Sequence, residues 1–126
     1  MWILTPKSFV SIVAHRSKPD TLLVRARLPG DLRRLFPGCK VSRTPSADYR
    51  FRTELPRRRV MNAVAEEISA IAYDNVKGAI PTKPVVHSIR HRMMSRMWQA
   101  GMDAQQDAHR RALPAWGDPG SDLSGL

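Results

Sequence analysis

Alternating arginines in two segments are the first residues of this sequence whose type and spacing suggest chemistry. Arg25 and Arg27 lie in one segment and Arg50 and Arg52 in another, with one residue between the members of each pair. A guanidinium group presents a planar fork of donors that fits phosphates and carboxylates. If the two segments are neighbouring strands, the four side chains form one basic patch on a sheet. The simpler alternative is a solvated polar face balanced by Glu54 and other nearby acids.

Three consecutive arginines, Arg57, Arg58 and Arg59, follow at the predicted start of a helix. Cations at a helix N-terminus oppose the macrodipole, so local helix stability does not explain them. Binding to a partner and simple solvation therefore remain two open explanations. With the alternating arginines, these three residues complete the predicted surface for binding nucleic acid or another partner.

Large side chains recur along a predicted C-terminal helix, where Met93, Met97 and Trp98 are the candidate contacts for a partner helix. Such residues more often pack in a core or pair helices with one another. Methionine side chains are adaptable, however, and on a basic helix they can also seat a partner protein.

Catalytic and metal-binding patterns are weak in this sequence. His87 and His91 have the i, i+4 spacing of metal ligands, but no third ligand is nearby and Arg90 repels a cation. Glu66 and Glu67 are adjacent, so they point to different faces of a helix and do not converge as an acid–base pair. No nucleophile elbow, phosphate-binding loop or dinucleotide fingerprint is present. The sequence therefore predicts a non-enzymatic protein without a metal or cofactor.

Charge and composition limit the partners of the chain. Its 126 residues carry a formal net charge of +10, and 42% are hydrophobic, which suits one modest core. The positive excess lies before residue 102, because residues 102–126 contain four aspartates and two arginines. Polyanions such as nucleic acid or an acidic protein surface are the predicted partners. The alternative explanation for the positive charge is a GC-rich genome, which favours arginine codons without any selection for binding.

Cellular location follows from what the sequence lacks. Cys39 is the only cysteine, so no disulfide can form within the chain. The sequence has neither a signal-peptide pattern nor an apolar run of transmembrane length. We therefore expect a cytoplasmic protein with no membrane partner.

The elements that must position these residues are predicted from hydrophobic periodicity. Strands are expected at 8–14, 21–28, 40–43 and 49–55, and helices at 32–36, 57–72 and 86–106. Tyr49 and Phe51 are predicted on the inner face with Val24 and Ala26, which disfavours base-specific RNA recognition by the outer face. The predicted buried stripe of the 57–72 helix consists of Val60, Val64, Ile68 and Ile71.

Similar segments occur twice, since residues 24–29 and 51–56 each run as a strand through Leu-Pro into a helix. This order predicts an α+β fold of duplicated ββα units that form a four-stranded, mainly antiparallel sheet with the helices on one face, plus a C-terminal helix. Residues 1–106 are expected to form a single domain that includes the C-terminal helix. Residues 107–126, rich in Pro and Gly towards the end, are expected to form a flexible tail.

Several short segments occur together in one order along the chain: the opening Met1-Trp2, residues 9–13, 23–27, 44–45, 48–52 and 73–77, and then Arg90-His91 and Trp98. In these segments, which span roughly residues 1–98, the chain resembles a family of small, uncharacterised proteins of about a hundred residues from bacteria and mobile elements. The resemblance implies a shared small fold in which Arg25, Arg27, Tyr49, Arg50 and Arg52 fall on family motifs. It implies no activity. The chain departs from the family at Val76, where a Phe is usual, and it continues past Trp98 to Leu126.

The sequence thus favours a small basic protein that binds nucleic acid or a nucleoprotein through an arginine-rich sheet face. The alternative is a protein-binding inhibitor encoded by a phage or mobile element, in the manner of anti-CRISPR proteins, an analogy of size and type only. A homodimer, formed through an edge strand or the methionine-rich helix, remains open.

Overall fold

The computed structural model describes the backbone of residues 1–116 and the side chains of residues 1–111. It divides the chain into two compact units, Met1–Ile89 and Arg90–Leu126. The first unit contains an antiparallel sheet and two helices that pack on it, and the second contains most of one long helix. The fold is therefore α+β with a C-terminal helix, as the sequence predicts.

Five strands form the sheet of the first unit. They are β1 (Trp2–Thr5), β2 (Ser8–Ala14), β3 (Thr21–Ala26), β4 (Ser42–Arg43) and β5 (Phe51–Pro56). Their order across the sheet is β1-β2-β3-β5-β4, and every neighbouring pair is antiparallel. The helices among residues 1–116 are α1 (Asp31–Leu35), α2 (Arg57–Ser69), a 3₁₀ turn (Lys77–Ala79) and α3 (Val86–Trp116).

Strand β1 corrects the prediction of a four-stranded sheet. It pairs with β2 through a two-residue loop, Pro6-Lys7, with Thr5 opposite Ser8. The Thr5 hydroxyl accepts a hydrogen bond from the backbone N–H of Lys7, which fixes the chain as it reverses. The added strand makes Trp2 part of the sheet.

The hydrophobic core lies between one face of the sheet and the two short helices. Val10, Val24 and Ala26 are fully buried on that face, and they pack in one cluster with Leu32 of α1 and Val60 of α2. Aliphatic side chains at every second position of β2 and β3 fit this arrangement, because alternate residues of a strand share a face. Both helices therefore lie on the same side of the sheet, as predicted.

After β1, the order strand, strand, helix occurs twice: β2, β3 and α1, then β4, β5 and α2. This matches the predicted order of elements. Whether the two ββα units are copies of one another is not confirmed by the order alone, and β4 has only two residues against seven in β2.

A residue with positive φ lies at the start of each of the helices α2 and α1. Asp20 adopts a left-handed conformation, with φ of 52°, and its carbonyl accepts a 2.8 Å hydrogen bond from the N–H of Arg57, the first residue of α2. Gly30, with φ of 83°, is the N-cap of α1. Asp31, the first residue of α1, is fully buried, and its Oδ2 accepts a 2.9 Å hydrogen bond from the N–H of Phe9.

Helix α3 runs from Val86 to Trp116 and so continues past the predicted end at residue 106. Ion pairs of Asp107 with Arg110 and Arg111 link successive turns near its C-terminal end. The predicted flexible tail falls partly on this helix, and residues 117–126 lie outside those described.

Candidate functional site

One row of directly opposed residues crosses all five strands on the sheet face away from α1 and α2. Trp2 pairs with Ser11, Ser11 with Arg25, Arg25 with Arg52, and Arg52 with Ser42. Since opposed residues of antiparallel strands project to the same side, these five side chains share one face, which we call the arginine face. The two arginine segments are thus neighbours, as predicted, and Arg25 lies directly opposite Arg52.

Tyr49 lies at the centre of this face, with its side chain only 4% exposed. The guanidinium carbon of Arg25 is 4.5 Å from the centroid of the Tyr49 ring, and that of Arg27 is 4.0 Å from it. The indole N–H of Trp2 donates a 3.0 Å hydrogen bond to the Tyr49 hydroxyl. We call Trp2, Arg25, Arg27, Tyr49 and Arg52 the tyrosine cluster.

The position of Tyr49 overturns one expectation. The sequence pattern places it on the inner face with Phe51, but its contacts with Arg25 and Arg27 place it on the arginine face. Strand β5 begins only at Phe51, so the alternation of side chains between the two faces of the sheet does not extend back to residue 49. The argument that aromatic residues are confined to the inner face is therefore wrong.

Hydrogen bonds hold two of the guanidinium groups in place. The Nη2 of Arg25 donates to the Oγ of Ser11 at 2.9 Å, whereas its Nε is buried and no acceptor among the described residues reaches it. The Nε of Arg52 donates to the carbonyl of Tyr49 at 3.3 Å, and its Nη2 lies 3.8 Å from the carboxylate of Asp48. These contacts order both side chains before any ligand arrives.

Arg27 and Arg50 are both exposed, but they differ in their surroundings. Arg27 stacks on Tyr49 and donates no hydrogen bond to another described residue, so its N–H groups remain available to an anion. Arg50 stands just before β5, and its carbonyl accepts a hydrogen bond from the N–H of Thr44. No ring contact or side-chain hydrogen bond ties Arg50 to another described residue. The structure therefore brings three of the four predicted arginines together around Tyr49.

An open groove of about 820 Å³ adjoins the tyrosine cluster on the same face. Arg25 and Arg52 line it, and the chain leading into β4 contributes Lys40 and Val41. The β2–β3 connection contributes Arg16. Cationic groups and aliphatic side chains therefore line one concave surface whose size is typical of ligand-binding clefts.

Glu54 is the acidic residue that lines this groove, and both of its carboxylate oxygens contact neighbouring basic side chains. Lys18 Nζ lies 2.7 Å from one carboxylate oxygen, and His15 Nε2 lies 2.9 Å from the other. The Nδ1 of His15 accepts hydrogen bonds from the backbone N–H groups of Ser17 and Lys18, so Nε2 carries the proton that Glu54 accepts. The hydrogen bond from Lys18, and then that from His15, lower the pKa of Glu54 from its usual value of 4.5.

The triple arginine lies elsewhere. Arg57, Arg58 and Arg59 begin α2, which packs on the opposite face of the sheet from the tyrosine cluster. Arg57 lies 3.7 Å from the carboxylate of Asp20, and Arg59 donates a 2.7 Å hydrogen bond to the carbonyl of Pro37. Local contacts therefore account for part of this run, and the seven predicted arginines do not form one surface.

An apolar groove of about 510 Å³ runs along α2 on that opposite side. Val60 is the buried residue of α2, whereas Ile68 and Ile71, predicted to be buried, are 64% and 51% exposed. Met61 is also 55% exposed beside them. The predicted stripe is therefore only partly covered, and of its two exposed members Ile68 lines this groove.

On α3, Met93 and Met97 are half-buried and Trp98 is 55% exposed, while the neighbouring Met94 is buried. The three predicted partner contacts thus lie on the helix as expected, with Trp98 the most accessible. Whether they bind a partner helix stays a prediction.

Of the two histidines with metal-ligand spacing, His87 is buried and His91 is exposed. No group of three His, Cys, Asp or Glu side chains that could hold a metal ion occurs among the described residues. Within the same part of the chain, no helix combines the length and the apolar character needed to cross a bilayer.

Sequence reasoning missed Trp2, Ser11, His15 and Lys40 as parts of this face. The sequence does contain one signal for Ser11 and His15: their positions differ by an even number, so both project from the same face of an extended strand. This signal assigns them to the arginine face only once the register of β2 against β3 is known.

Comparison with known proteins gives no further guide, since the chain matches no protein-family model, no curated protein and no solved structure. The resemblance to small mobile-element proteins stays a prediction.

Proposed function

We propose that this protein is a non-enzymatic, cytoplasmic nucleic-acid-binding protein that contacts phosphates through Arg25, Arg27 and Arg52 of the arginine face. The observation that carries this proposal is the stacking of two guanidinium groups, 4.5 and 4.0 Å from the centroid of the Tyr49 ring. Stacking orients a guanidinium group without consuming its in-plane donors, and those of Arg27 donate to no other described residue, so they remain available to an anion.

Electrostatics support the same proposal. Arg25 and Arg52 are directly opposed on neighbouring strands, and like charges at such positions destabilise a sheet. Lys40 and Arg16 add positive charge around the adjoining groove, and Glu54 is compensated by Lys18. A polyanion relieves this concentration of positive charge, and contacts of this kind give affinity with little sequence preference.

The test is binding to short DNA and RNA strands across a salt series, with the Arg27→Gln/Arg52→Gln variant. We expect this variant to lose about tenfold or more in affinity, and the slope of log affinity against log salt to fall by about 1.5 to 2, because two phosphate contacts are removed. Glutamine keeps much of the side-chain length, so the fold is preserved.

The matched control is Arg33→Gln/Arg58→Gln, which removes the same charge from two exposed residues of α1 and α2 on the other side of the sheet. We expect this control to bind nearly as the unmodified protein does. Equal losses in the two variants would show that net charge alone drives binding and would exclude a site on the arginine face. No binding to any strand at physiological salt would exclude the function itself.

A second candidate function, a protein-binding inhibitor of the anti-CRISPR type, is favoured by a different observation. The apolar groove along α2 exposes Met61 and Ile68, and Arg57 lies at its rim. An apolar groove with a cationic end fits an acidic, amphipathic segment of a partner protein, and the net charge of +10 disfavours a second copy of this chain.

The two functions are separated by the variant Met61→Ser/Ile68→Ser. If the α2 groove is the working surface, this change abolishes capture of an acidic protein partner in nuclease-treated extract and leaves oligonucleotide binding intact. If oligonucleotide binding is the function, the Arg27→Gln/Arg52→Gln variant is the defective one.

A further inference from the structure

We infer that Trp2 is a stacking platform for an unpaired base, so that the ligand of the arginine face is single-stranded rather than duplex nucleic acid. This inference rests on the proposed function and identifies the form of nucleic acid that the site takes. It depends on where β1 places the indole ring, on what holds the ring and on how much of it is open.

The sheet places Trp2 beside the phosphate-binding arginines. Trp2 is opposed to Ser11, which is opposed to Arg25, so the three side chains lie in one row. With neighbouring strands about 4.8 Å apart, Trp2 and Arg25 stand about 10 Å from each other across the face. A strand of nucleic acid that places phosphates on Arg25 and Arg27 therefore has a base within reach of Trp2.

Two contacts hold the Trp2 ring in a fixed orientation. Its Nε1–H donates to the Tyr49 hydroxyl at 3.0 Å, and its ring meets that of Phe9 edge to face, with centroids 5.5 Å apart and an interplanar angle of 85°. Both partners are buried, at 4% and 3% exposure, so they form a rigid support. A ring fixed in this way loses little further freedom when a base stacks on it.

Trp2 nevertheless remains 58% exposed. Its only polar atom is already hydrogen-bonded, so the exposed part is apolar carbon and π surface. An exposed aromatic beside guanidinium groups is the combination with which proteins bind single strands, because every base has a π face and every nucleotide a phosphate. In a duplex the base faces are stacked on one another, so only an unpaired base can use this ring.

The experiment uses the full chain with three fluorescent probes of equal length: an oligothymidine strand, an abasic strand with the same phosphates, and a duplex. We expect oligothymidine to bind more tightly than the other two probes. Trp2→Leu is expected to weaken oligothymidine binding about 5- to 100-fold, the range for loss of one base–aromatic stack, and to leave abasic-strand binding unchanged.

Trp98→Leu is the matched control, because Trp98 is exposed to nearly the same extent, 55%, on α3. Oligothymidine is expected to quench tryptophan fluorescence in the unmodified protein and in this control, and to lose that quenching in Trp2→Leu. Trp2→Phe keeps an aromatic face while it removes the N–H, so it is expected to retain most of the preference for bases even if Trp2→Leu is poorly folded.

The outcomes separate this inference from the function on which it rests. If the abasic strand or the duplex binds as tightly as oligothymidine, or if Trp2→Phe binds the abasic strand and oligothymidine equally, phosphate binding stands and the stacking role is excluded. If no probe binds, the proposed function fails, and this inference fails with it.

Discussion

Arg25 and Arg52 lie directly opposite each other on β3 and β5, and each is held by a different part of its surroundings. Arg25 stacks on the Tyr49 ring and donates to Ser11, whereas Arg52 donates to the Tyr49 carbonyl. Two cations directly opposite each other disfavour the pairing of their strands. The sheet therefore tolerates a local cost at the position where the proposed phosphate contact would remove it.

The first prediction concerns these two arginines separately. Arg52→Gln is expected to change the free energy of unfolding by less than about 0.5 kcal/mol, because its hydrogen bond to the Tyr49 carbonyl is long, at 3.3 Å, its ion pair with Asp48 is weak, and relief of the repulsion from Arg25 offsets part of both losses. Arg25→Gln is expected to cost about 1–2 kcal/mol, because a partly buried hydrogen bond and a ring contact are lost. Urea unfolding followed by circular dichroism measures both values. A larger loss for Arg52→Gln than for Arg25→Gln would contradict this assignment of roles.

The second prediction distinguishes the ring of Tyr49 from its hydroxyl. Tyr49→Phe is expected to cost about 1 kcal/mol, for the hydrogen bond from Trp2. Tyr49→Ala is expected to cost about 3–5 kcal/mol, because a buried ring is removed from beneath two guanidinium groups. The free energies of unfolding of the two variants test this. Equal costs would mean that the hydroxyl, rather than the ring, supports the cluster.

The third prediction is a pH dependence of Glu54. Its pKa is lowered in the folded protein, chiefly by Lys18 and then by His15, so the ionised carboxylate favours the folded state. This contribution is complete above the usual, unfolded-state pKa of 4.5 and is lost as the pH falls through the lower folded-state value.

The corresponding measurement compares the melting temperature of Glu54→Gln with that of the unmodified protein from pH 7 to pH 3. We expect the unmodified protein to be slightly more stable at neutral pH, because the group is exposed, and the difference in melting temperature to shrink as the pH falls through the lowered folded-state pKa of Glu54. A difference that grows on acidification would contradict the stated direction.

The fourth prediction contrasts adjacent residues of α2. Val60→Ala is expected to cost about 2–3 kcal/mol, because Val60 is 3% exposed in the core and the change removes two buried carbon groups and leaves a cavity. Met61→Ala is expected to cost less than about 0.5 kcal/mol, because Met61 is 55% exposed. Comparable costs for the two variants, measured by urea unfolding, would show that Met61 is covered in solution.

Strand β3 shows how much of the fold can be predicted from the sequence. Its alternation of Val24 and Ala26 with Arg25 and Arg27 correctly separates the core face from the arginine face. Periodicity succeeds here because the buried face is uniformly aliphatic and the other face is charged. The same reasoning predicts α1, α2 and the start of α3.

Strand β1 shows why the rest could not be predicted. Its loop, Pro6-Lys7, lacks the Gly or Asn that marks most two-residue hairpins, and neither residue has positive φ. Without that signal, Trp2 gives no indication that it faces Arg25 across β2. The candidate site depends on the register of β1 against β2 and also on that of β3 against β5, and the second pairing joins segments that are distant in the sequence.

Tyr49 illustrates a second limit. Alternation predicts its face only if the strand is regular, and β5 becomes regular two residues later. The stacking of two arginines on its ring is a tertiary relationship with no local sequence pattern.

The order of strands has a consequence for the protein at high concentration. The sheet ends on one side in the two-residue β4 and on the other in the four-residue β1. Short edge strands offer few unpaired backbone groups to the edge of another molecule. Copies of the protein that meet at high concentration are therefore poorly suited to join their sheets edge to edge, which disfavours the growth of fibres.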